Sequence, residues 1–489
     1  MDTCRTVIFN PSYELYNDYD RIVLMSSPEA SVLDKSYRLY IHPGIASFFS
    51  FFNGTCTLEE SFQRAAKFYN TDVATVENLF SKFYNNPKKV GLKYDGENFI
   101  FPPNVLVDNR EGVKRDTLSP EVMTCKGPYN YDRARLHYPK SLVICINLSC
   151  VTDCVYCYAN KAHNYKPMPT QALLDFISEA ARLHVRDIDF TGGEFFLHKD
   201  WREILKCLIA NGYNPEISTK VPVSPASLRE AREIGLKCVQ YSLDTLSPEK
   251  ACATLNVNRH YIGSIRKSIE AADSLGFDLV IKPTLVNTTC TLENVKEILE
   301  FTKGLRSVRR MVVTTAGYTM YKSEENYQKL RPSEQQAREV YGYLTSQRSE
   351  VPFPIVNDDQ LTDKSTFRCK ESFDSRSICS ANLDGFVVLP DGQVTVCEGL
   401  YWHKEFIIGD ISKMSIMDIW NYDNARMLTK MPQELIPEDS ACRTCKEYDE
   451  CRKYRGICWK YVLEAYGDEH PFYPDPRCPY APAFTKNIC

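Results

Sequence analysis

Strand and helix patterns alternate between residues 141 and 315, and this alternation restricts the fold more than any other feature of the sequence. Six short strand-like segments are separated by segments with apolar residues at helical spacing. Repeated strand–helix units form a parallel sheet with right-handed crossovers, and six of them can curl into a partial (β/α)6 barrel of the TIM type. The predicted strands are 142–148, 187–191, 215–219, 238–243, 279–284 and 311–315, and the predicted helices are 170–183, 201–210, 227–234, 262–275 and 292–301.

The chain has 20 cysteines among 489 residues, although its N-terminus lacks a secretory signal sequence. A reducing compartment gives cysteines no structural disulfides to form, so metal binding is the first candidate for their role. Eight of them stand apart from one another and are predicted to fill the core. Three form a CxxxCxxC sequence directly after the first barrel strand, and nine lie between Cys369 and Cys489.

Acidic and basic residues nearly balance, with 63 Asp and Glu against 59 Lys and Arg and a net charge of −4. This balance does not favour nucleic acid or a membrane surface as a partner. No segment approaches the roughly 18 apolar residues of a membrane-spanning helix. We therefore expect a cytoplasmic protein that binds neither.

Cys150, Cys154 and Cys157 place three thiolates within eight residues of one loop. A structural zinc site prefers four ligands, and the loop has no fourth cysteine, although His163 follows a few residues later. A 4Fe–4S cluster held by three cysteines leaves one iron open to bind another molecule. With these residues the sequence resembles the radical S-adenosylmethionine (radical SAM) superfamily, in which the methionine part of SAM chelates the open iron through its amino and carboxylate groups.

The resemblance implies SAM-binding roles for residues at the ends of the next two strands. Gly192, Gly193 and Glu194 match the GGE motif, in which glycine permits close backbone approach and the acidic residue receives the SAM ammonium group. Ser218 and Lys220 occupy the position from which the superfamily holds the ribose and carboxylate of SAM. Lys220 stands where many members have Asn, which is a departure from the pattern.

Three further residues complete the implied site. Ser242 and Asp244 belong to a Ser-Leu-Asp segment that would line the substrate cavity, and Tyr156 would pack near the adenine. The alternative for these positions is the ordinary polarity of strand ends. The resemblance implies that the cluster and SAM supply a 5′-deoxyadenosyl radical, which takes a hydrogen atom from an unactivated C–H bond. No catalytic acid or base is identifiable from the sequence.

The C-terminal cysteines have the spacing of further iron–sulfur sites. A predicted hairpin turns at Asp391-Gly392 and has Cys379 and Cys397 near its ends. The series resembles the SPASM extension of radical SAM enzymes, except that six residues rather than three precede Cys458. Zinc is an alternative here because paired cysteines also form zinc ribbons. The resemblance implies two auxiliary 4Fe–4S clusters, and thus three clusters in all. The ligands of auxiliary cluster I would be Cys369, Cys379, Cys397 and Cys458, although Cys489 or an open iron could replace Cys369. The ligands of auxiliary cluster II would be Cys442, Cys445, Cys451 and Cys478.

The sequence before the barrel predicts a smaller module at residues 20–105. Two strands, two helices with capping signals at Thr57 and Asp72, and a hairpin around Asp95-Gly96 follow in this order. The order resembles a winged helix-turn-helix and, in this context, the RiPP recognition element, which captures the leader of a ribosomally made precursor peptide as an added strand at a sheet edge. DNA binding is the alternative, but acidic residues surround the few lysines of the wing.

These features divide the chain into five predicted segments. The predicted fold class is α/β, a partial (β/α)6 TIM-like barrel preceded by a winged helix-turn-helix-like module and followed by a cysteine-rich SPASM iron–sulfur domain. The segments are the recognition element at 20–105, a linker at 106–140, the radical SAM partial barrel at 141–345, a bridging region at 346–368 and the SPASM domain at 369–489.

The combined resemblance implies a radical SAM/SPASM maturase of a ribosomally synthesised peptide, with flavodoxin or ferredoxin as electron donor. We expect an oxidative cross-link in the precursor peptide, in first place the thioether from Cys to carbon of sactipeptides and ranthipeptides. Leader capture would raise the effective concentration of the core peptide at the barrel mouth. The alternatives are a carbon–carbon or carbon–oxygen cross-link, formylglycine formation in a sulfatase, and a non-enzymatic iron–sulfur sensor that binds DNA.

Overall fold

The computed structural model describes residues 5–27, 37–115, 118–125, 127–131, 135–358, 364–376, 379–454 and 457–486. Two of the 20 cysteines, Cys4 and Cys489, lie outside the described residues. The chain divides into two units, Met1–His137 and Tyr138–Cys489.

Within its described residues, the N-terminal unit combines small antiparallel sheets with three α-helices. Its strands are β1 (Val7–Phe9), β2 (Tyr13–Asn17), β3 (Ile22–Ser26), β4 (Arg38–Ile41), β5 (Val90–Tyr94), β6 (Glu97–Phe101) and β7 (Leu106–Asp108), and its helices are α1 (Pro43–Ser50), α2 (Leu58–Tyr69) and α3 (Val73–Phe83). Strand β3 lies between β2 and β4, β1 pairs with β7, and β5 pairs with β6. Thr57 and Asp72 cap α2 and α3 through side-chain hydrogen bonds, so the predicted helix starts are confirmed.

Strand β7 falls within the segment 106–140, which the sequence predicts as a linker. It pairs with β1 through Leu106, and Leu118 and Met123 further along are buried in the core of the N-terminal unit. Three-residue strands are too short to show an alternating pattern, and this is why the sequence did not reveal β1 and β7.

The second unit begins with parallel strands that alternate with helices, as predicted. The strands are β8 (Ser141–Cys145), β9 (Asp187–Thr191), β10 (Glu216–Thr219), β11 (Cys238–Tyr241), β12 (Asp278–Ile281), β13 (Thr284–Leu285), β14 (Val308–Thr315) and β15 (Ile355–Asp358). The helices are α4 (Thr170–Arg182), α5 (Trp201–Ala210), α6 (Pro225–Ile234), α7 (Pro248–Leu255), α8 (Tyr261–Ser274), α9 (Leu292–Lys303), α10 (Glu324–Leu330) and α11 (Glu334–Ser346). The α/β fold class with a partial TIM-like barrel is confirmed.

The two faces of the barrel strands differ in polarity. On β9, Ile188 and Phe190 are buried, whereas Asp189 between them is on the other face and exposed. Arg310 on β14 donates to both carboxylate oxygens of Glu216 on β10, at 2.9 and 2.7 Å, although β11 and β12 separate these strands in the sheet. Such a contact is possible only across the concave side of a curved sheet, so the barrel interior is polar.

The cysteine-rich region adds a hairpin to the barrel sheet. Its strands are β16 (Gly385–Val388), β17 (Gln393–Thr395) and β18 (Ile407–Asp410), and its helices are α12 (Lys370–Ser375), α13 (Ile416–Trp420), α14 (Asp423–Thr429), α15 (Tyr448–Tyr454) and α16 (Trp459–Tyr466). The predicted hairpin at Asp391-Gly392 is present as β16 and β17. Strand β16 also pairs in parallel with β8, which gives the sheet order β18-β17-β16-β8-β9.

Candidate functional site

The CxxxCxxC loop follows β8 and brings three thiols together. The pKa of Cys150 is raised to about 12, chiefly by burial; the charges on Cys157 and Cys154 contribute to this rise, whereas Lys161 lowers the pKa. Cys154 is buried, and its sulfur lies 3.3 Å from the hydroxyl of Thr152. The three sulfurs therefore share one region in which thiolates need a compensating positive charge.

Gly192 and Gly193 pack directly on the segment that leads into the cysteine loop. The Gly193 amide donates to the Asn147 carbonyl at 2.6 Å, and the Glu194 amide donates to the Ser149 carbonyl at 2.8 Å. A Cβ atom at Gly193 would lie 2.3 Å from Asn147 Oδ1, and Gly192 has a φ of +95°. The GGE segment thus holds the cysteine loop against the end of β9.

The Glu194 side chain points to the neighbouring strand β10. Its carboxylate accepts hydrogen bonds from the Thr219 hydroxyl at 2.7 Å and from the Lys220 amide at 2.9 Å. Burial raises the pKa of Glu194, and these two bonds oppose the shift. Ser218 lies on β10 directly before Thr219, opposite Gln240 of β11, and is partly exposed.

Lys220 and Asp244 form a buried ion pair beside the cysteine loop. Lys220 Nζ lies 3.1 Å from both Asp244 carboxylate oxygens and 3.0 Å from the Ser242 carbonyl. Asp244 also accepts hydrogen bonds from the Tyr156 hydroxyl and from a backbone amide at the start of β13. Burial alone would lower the pKa of Lys220, but Asp244 and the Cys154 thiolate raise it.

The structure thus gathers Tyr156, Glu194, Lys220, Ser242 and Asp244 at the strand ends next to the cysteine loop. Their polar atoms are engaged with one another. The Lys220 ammonium is a cation at the cysteine loop, which suits a site whose ligands are thiolates.

The structure contains a second hydrogen-bonded group, at the end of β9, that the sequence did not predict. The Tyr158 hydroxyl lies 2.7 Å from the Thr191 hydroxyl and 3.3 Å from a Glu398 carboxylate oxygen, and Thr191 donates to the same oxygen at 3.2 Å. Tyr158 directly follows Cys157, and Glu398 directly follows Cys397. These adjacencies were the only sequence signal that could have revealed the contact between the two cysteine segments.

Cys379, Cys397 and Cys458 form the first of two C-terminal thiol groups, here named set I. The pKa of Cys397 is raised to about 12, chiefly by burial, and the charge on Cys379 contributes to this rise. Burial likewise raises the pKa of Cys458, which the charges on both other cysteines increase. Each sulfur accepts a hydrogen bond from a nearby backbone amide, the donors being Ala381, Gly399 and Tyr461.

Cys369, the fourth cysteine predicted for auxiliary cluster I, has different surroundings. It precedes α12 as its N-cap residue, and hydrogen bonds from Ser372 lower the pKa of its thiol. The charge on Glu371, in the same helix, raises the pKa of this thiol. Cys489, the predicted substitute, lies outside the described residues.

Cys442, Cys445, Cys451 and Cys478 form the second group, here named set II. The pKa of Cys478 is raised to about 11, chiefly by burial, and the charges on Cys442, Cys451 and Cys445 contribute to this rise. Burial also raises the pKa of Cys442, while Arg452 lowers it. The four thiols assigned to auxiliary cluster II by resemblance are therefore close to one another.

Among the described residues, no group of three or more His, Cys, Asp or Glu side chains is placed so that it could hold a single metal ion. The thiolates of a 4Fe–4S cluster each bind a different iron atom, so they stand farther apart than the ligands of one ion. The backbone amide hydrogen bonds to the set I sulfurs favour the thiolate, the form in which cysteine binds iron, and so oppose the effect of burial. The thiol groups of this chain fit such clusters.

Two family models match the second unit. The model of the Radical SAM superfamily matches residues 144–305, and the SPASM model, described as an iron-sulfur cluster-binding domain, matches residues 379–446. The prediction of a radical SAM enzyme is confirmed. The enzyme uses SAM and a 4Fe–4S cluster, with additional iron–sulfur clusters in its SPASM domain.

Curated proteins and solved structures are similar to larger parts of the chain. The mycofactocin maturase MftC of Mycolicibacterium smegmatis is 22% identical over 310 residues, 63% of this chain and 75% of that protein. The PqqA peptide cyclase of Ruegeria pomeroyi is 24% identical over 344 residues, 69% of this chain and 86% of that protein. The structure of Streptococcus suis SuiB bound to SAM has a TM-score of 0.60 at 14% identity and covers 96% of this chain and 99% of SuiB.

SuiB has also been solved with its precursor peptide SuiA bound, and that structure has a TM-score of 0.59 at 13% identity over the same shares of the two chains. Within the described ranges, no helix combines the length and apolar character needed to cross a bilayer.

Proposed function

We propose that this enzyme modifies a ribosomally made precursor peptide and installs an oxidative cross-link, in first place a thioether from Cys to carbon. The observation that carries the proposal is the fold likeness to SuiB over 96% of the chain, because it extends to the N-terminal unit as well as to the barrel and SPASM domain. SuiB binds the precursor peptide SuiA, and the curated relatives include a maturase and a peptide cyclase.

Formation of a thioether removes two hydrogen atoms from the peptide. One leaves as a hydrogen atom, a reaction for which SAM and the first cluster supply the radical when bound. The other leaves as a proton and an electron, and set I would hold auxiliary cluster I, which could accept that electron. The Tyr158–Glu398 contact supports this arrangement, since it joins the segments that carry Cys157 and Cys397. Flavodoxin or ferredoxin would supply the first electron.

We propose that the N-terminal unit captures the leader of the precursor as an added strand. Strands β2 and β4 each pair only with β3 among the described strands, so each has an edge that can accept main-chain hydrogen bonds. The Tyr37 hydroxyl, just before β4, donates to the Ile100 carbonyl of β6 at 2.6 Å. Ile100 is 60% exposed beside the edge of β4 and would receive an apolar leader side chain.

The test of leader capture is the affinity of the full-length enzyme for a fluorescently labelled leader peptide, measured by anisotropy. We expect Ile100→Glu to weaken binding about tenfold or more, because burial of one such side chain stabilises a contact by about 1.5–3 kcal/mol. Phe68→Glu is the matched control, since Phe68 is 52% exposed on α2 of the same unit. Equal affinities of the two variants would contradict the proposed surface.

The type of cross-link is tested by alkylation of the product peptide followed by tandem mass spectrometry. A thioether consumes one cysteine thiol, so the product should take up one fewer iodoacetamide group than the unmodified peptide. A product that has lost two hydrogen atoms but still alkylates fully would favour a carbon–carbon or carbon–oxygen cross-link instead.

A further inference from the structure

Lys460 lies between the two segments that carry Cys397 and Cys458. It belongs to the first turn of α16, two residues after Cys458. Its aliphatic chain passes so close to Gly399 that a Cβ atom there would lie 2.9 Å from Lys460 Cδ. Because Gly399 follows Cys397 by two residues, Lys460 is held against both segments of set I.

The charge environment of Lys460 agrees with this position. Its ammonium group interacts electrostatically with Glu464, Cys458 and Cys397. The Cys458 sulfur also accepts the Tyr461 amide at the N-terminus of α16. One cation and a helix N-terminus thus face thiolates of the same set.

Glu464 lies one turn further along α16 and is the second partner of Lys460. It is 4% exposed, and its Oε1 lies 3.7 Å from Lys460 Nζ. Burial outweighs the opposing effect of Lys460, and the pKa of Glu464 is raised to about 7. The positive charge of Lys460 is therefore shared between a buried carboxylate and the thiolates of set I.

We propose that Lys460 raises the reduction potential of auxiliary cluster I and that Glu464 partly offsets this effect. Reduction adds a negative charge to the cluster, and a fixed cation nearby stabilises the reduced form more than the oxidised form. The inference rests on the proposed assignment of Cys379, Cys397 and Cys458 as ligands of that cluster. Lys460 acts through the field at the cluster and has no part in binding iron.

The test is a potentiometric titration of the reconstituted full-length enzyme, followed by electron paramagnetic resonance at about pH 8.5, where Glu464 is ionised. Lys460→Gln should shift the potential of auxiliary cluster I to more negative values, and Glu464→Gln should shift it to more positive values. The double variant should have a more negative potential of auxiliary cluster I than Glu464→Gln. Shifts of the same sign in the two single variants, or no shift in either, would overturn the proposal.

Two controls separate this effect from misfolding and from a wrong ligand set. Lys413→Gln removes an exposed lysine that pairs with Asp410 at 2.7 Å in the same region, and it should leave the potential unchanged. If Lys460→Gln fails to fold because Glu464 loses its partner, the comparison of the double variant with Glu464→Gln decides the question. If Cys397→Ala leaves the spectrum unchanged, the ligand assignment is wrong, which is distinct from a failure at Lys460.

Discussion

Gly193 shows how a single residue position determines whether the cysteine loop can form. The sequence predicts a close backbone approach at the GGE motif, and in the structure residues 147–149 make this approach. A Cβ atom at Gly193 would lie 2.3 Å from Asn147 Oδ1 and 2.4 Å from the Ser149 carbonyl oxygen. No rotamer change relieves a contact with backbone atoms, so the loop itself must move.

We therefore expect Gly193→Ala to lower the iron content by about four atoms per chain, one 4Fe–4S cluster. Gly263→Ala is the matched control, because Gly263 lies in α8 and a Cβ atom there meets nothing within 4 Å. Iron analysis after anaerobic reconstitution measures both variants. Full iron content in Gly193→Ala would contradict the role assigned to this glycine.

The Lys220–Asp244 pair gives a second prediction at this scale. Asp244 is 1% exposed, so Lys220→Met leaves a buried carboxylate without its cation and should destabilise the fold by about 3–5 kcal/mol. In Lys220→Met/Asp244→Leu both charges are gone, and part of this stability should return. Urea unfolding measures the difference. A double variant no more stable than the single one would show that charge burial is not the cause.

Residues with motif spacing were predictable, and residues brought together by tertiary structure were not. The spacing of Cys150, Cys154 and Cys157 is visible in the sequence because the cysteines share one loop. Tyr158 and Glu398 are 240 residues apart, and the pairing of β16 with β8 brings the strands before them together. No local pattern encodes such a contact.

At the scale of elements, the barrel followed its sequence pattern closely. Helix α5 and strand β9 have the predicted bounds, because each combines a strong periodicity with clear ends. Helix α7 was not predicted, since its eight residues are too few for a convincing period, and the two-residue strand β13 has no pattern at all. The parallel pairing of β16 with β8 joins distant segments and was also missed.

The β16–β8 pairing depends on Gly385, so we expect Gly385→Ala to destabilise the second unit by about 1–3 kcal/mol. A Cβ atom at this position would lie 1.7 Å from the Ser141 carbonyl oxygen of β8. Gly342→Ala on α11, where a Cβ atom meets nothing within 4 Å, should instead stabilise it slightly. Chemical unfolding compares the two. Equal stability of both variants would show that the hairpin does not rely on this close approach.

At the scale of the whole molecule, the excess of cysteines corresponds to three groups of thiols. The prediction that separates them is iron content: about four atoms per chain should be lost in Cys442→Ala, and another set of about four in Cys379→Ala. We propose that Cys369→Ser keeps all of the iron, because the hydrogen bonds and the charge that shift the pKa of the Cys369 thiol come from Ser372 and Glu371 of its own helix. Loss of a cluster in Cys369→Ser would instead make Cys369 the fourth ligand of auxiliary cluster I.

The reaction itself is the most direct test of the proposed peptide substrate. The anaerobically reconstituted enzyme is incubated with SAM, dithionite and the small peptide encoded nearest to this gene, and the peptide is sequenced by tandem mass spectrometry. We expect 5′-deoxyadenosine and a peptide lighter by two hydrogen atoms, neither of which should form with Cys150→Ala. Formation of 5′-deoxyadenosine without any change in the peptide would contradict the substrate assignment.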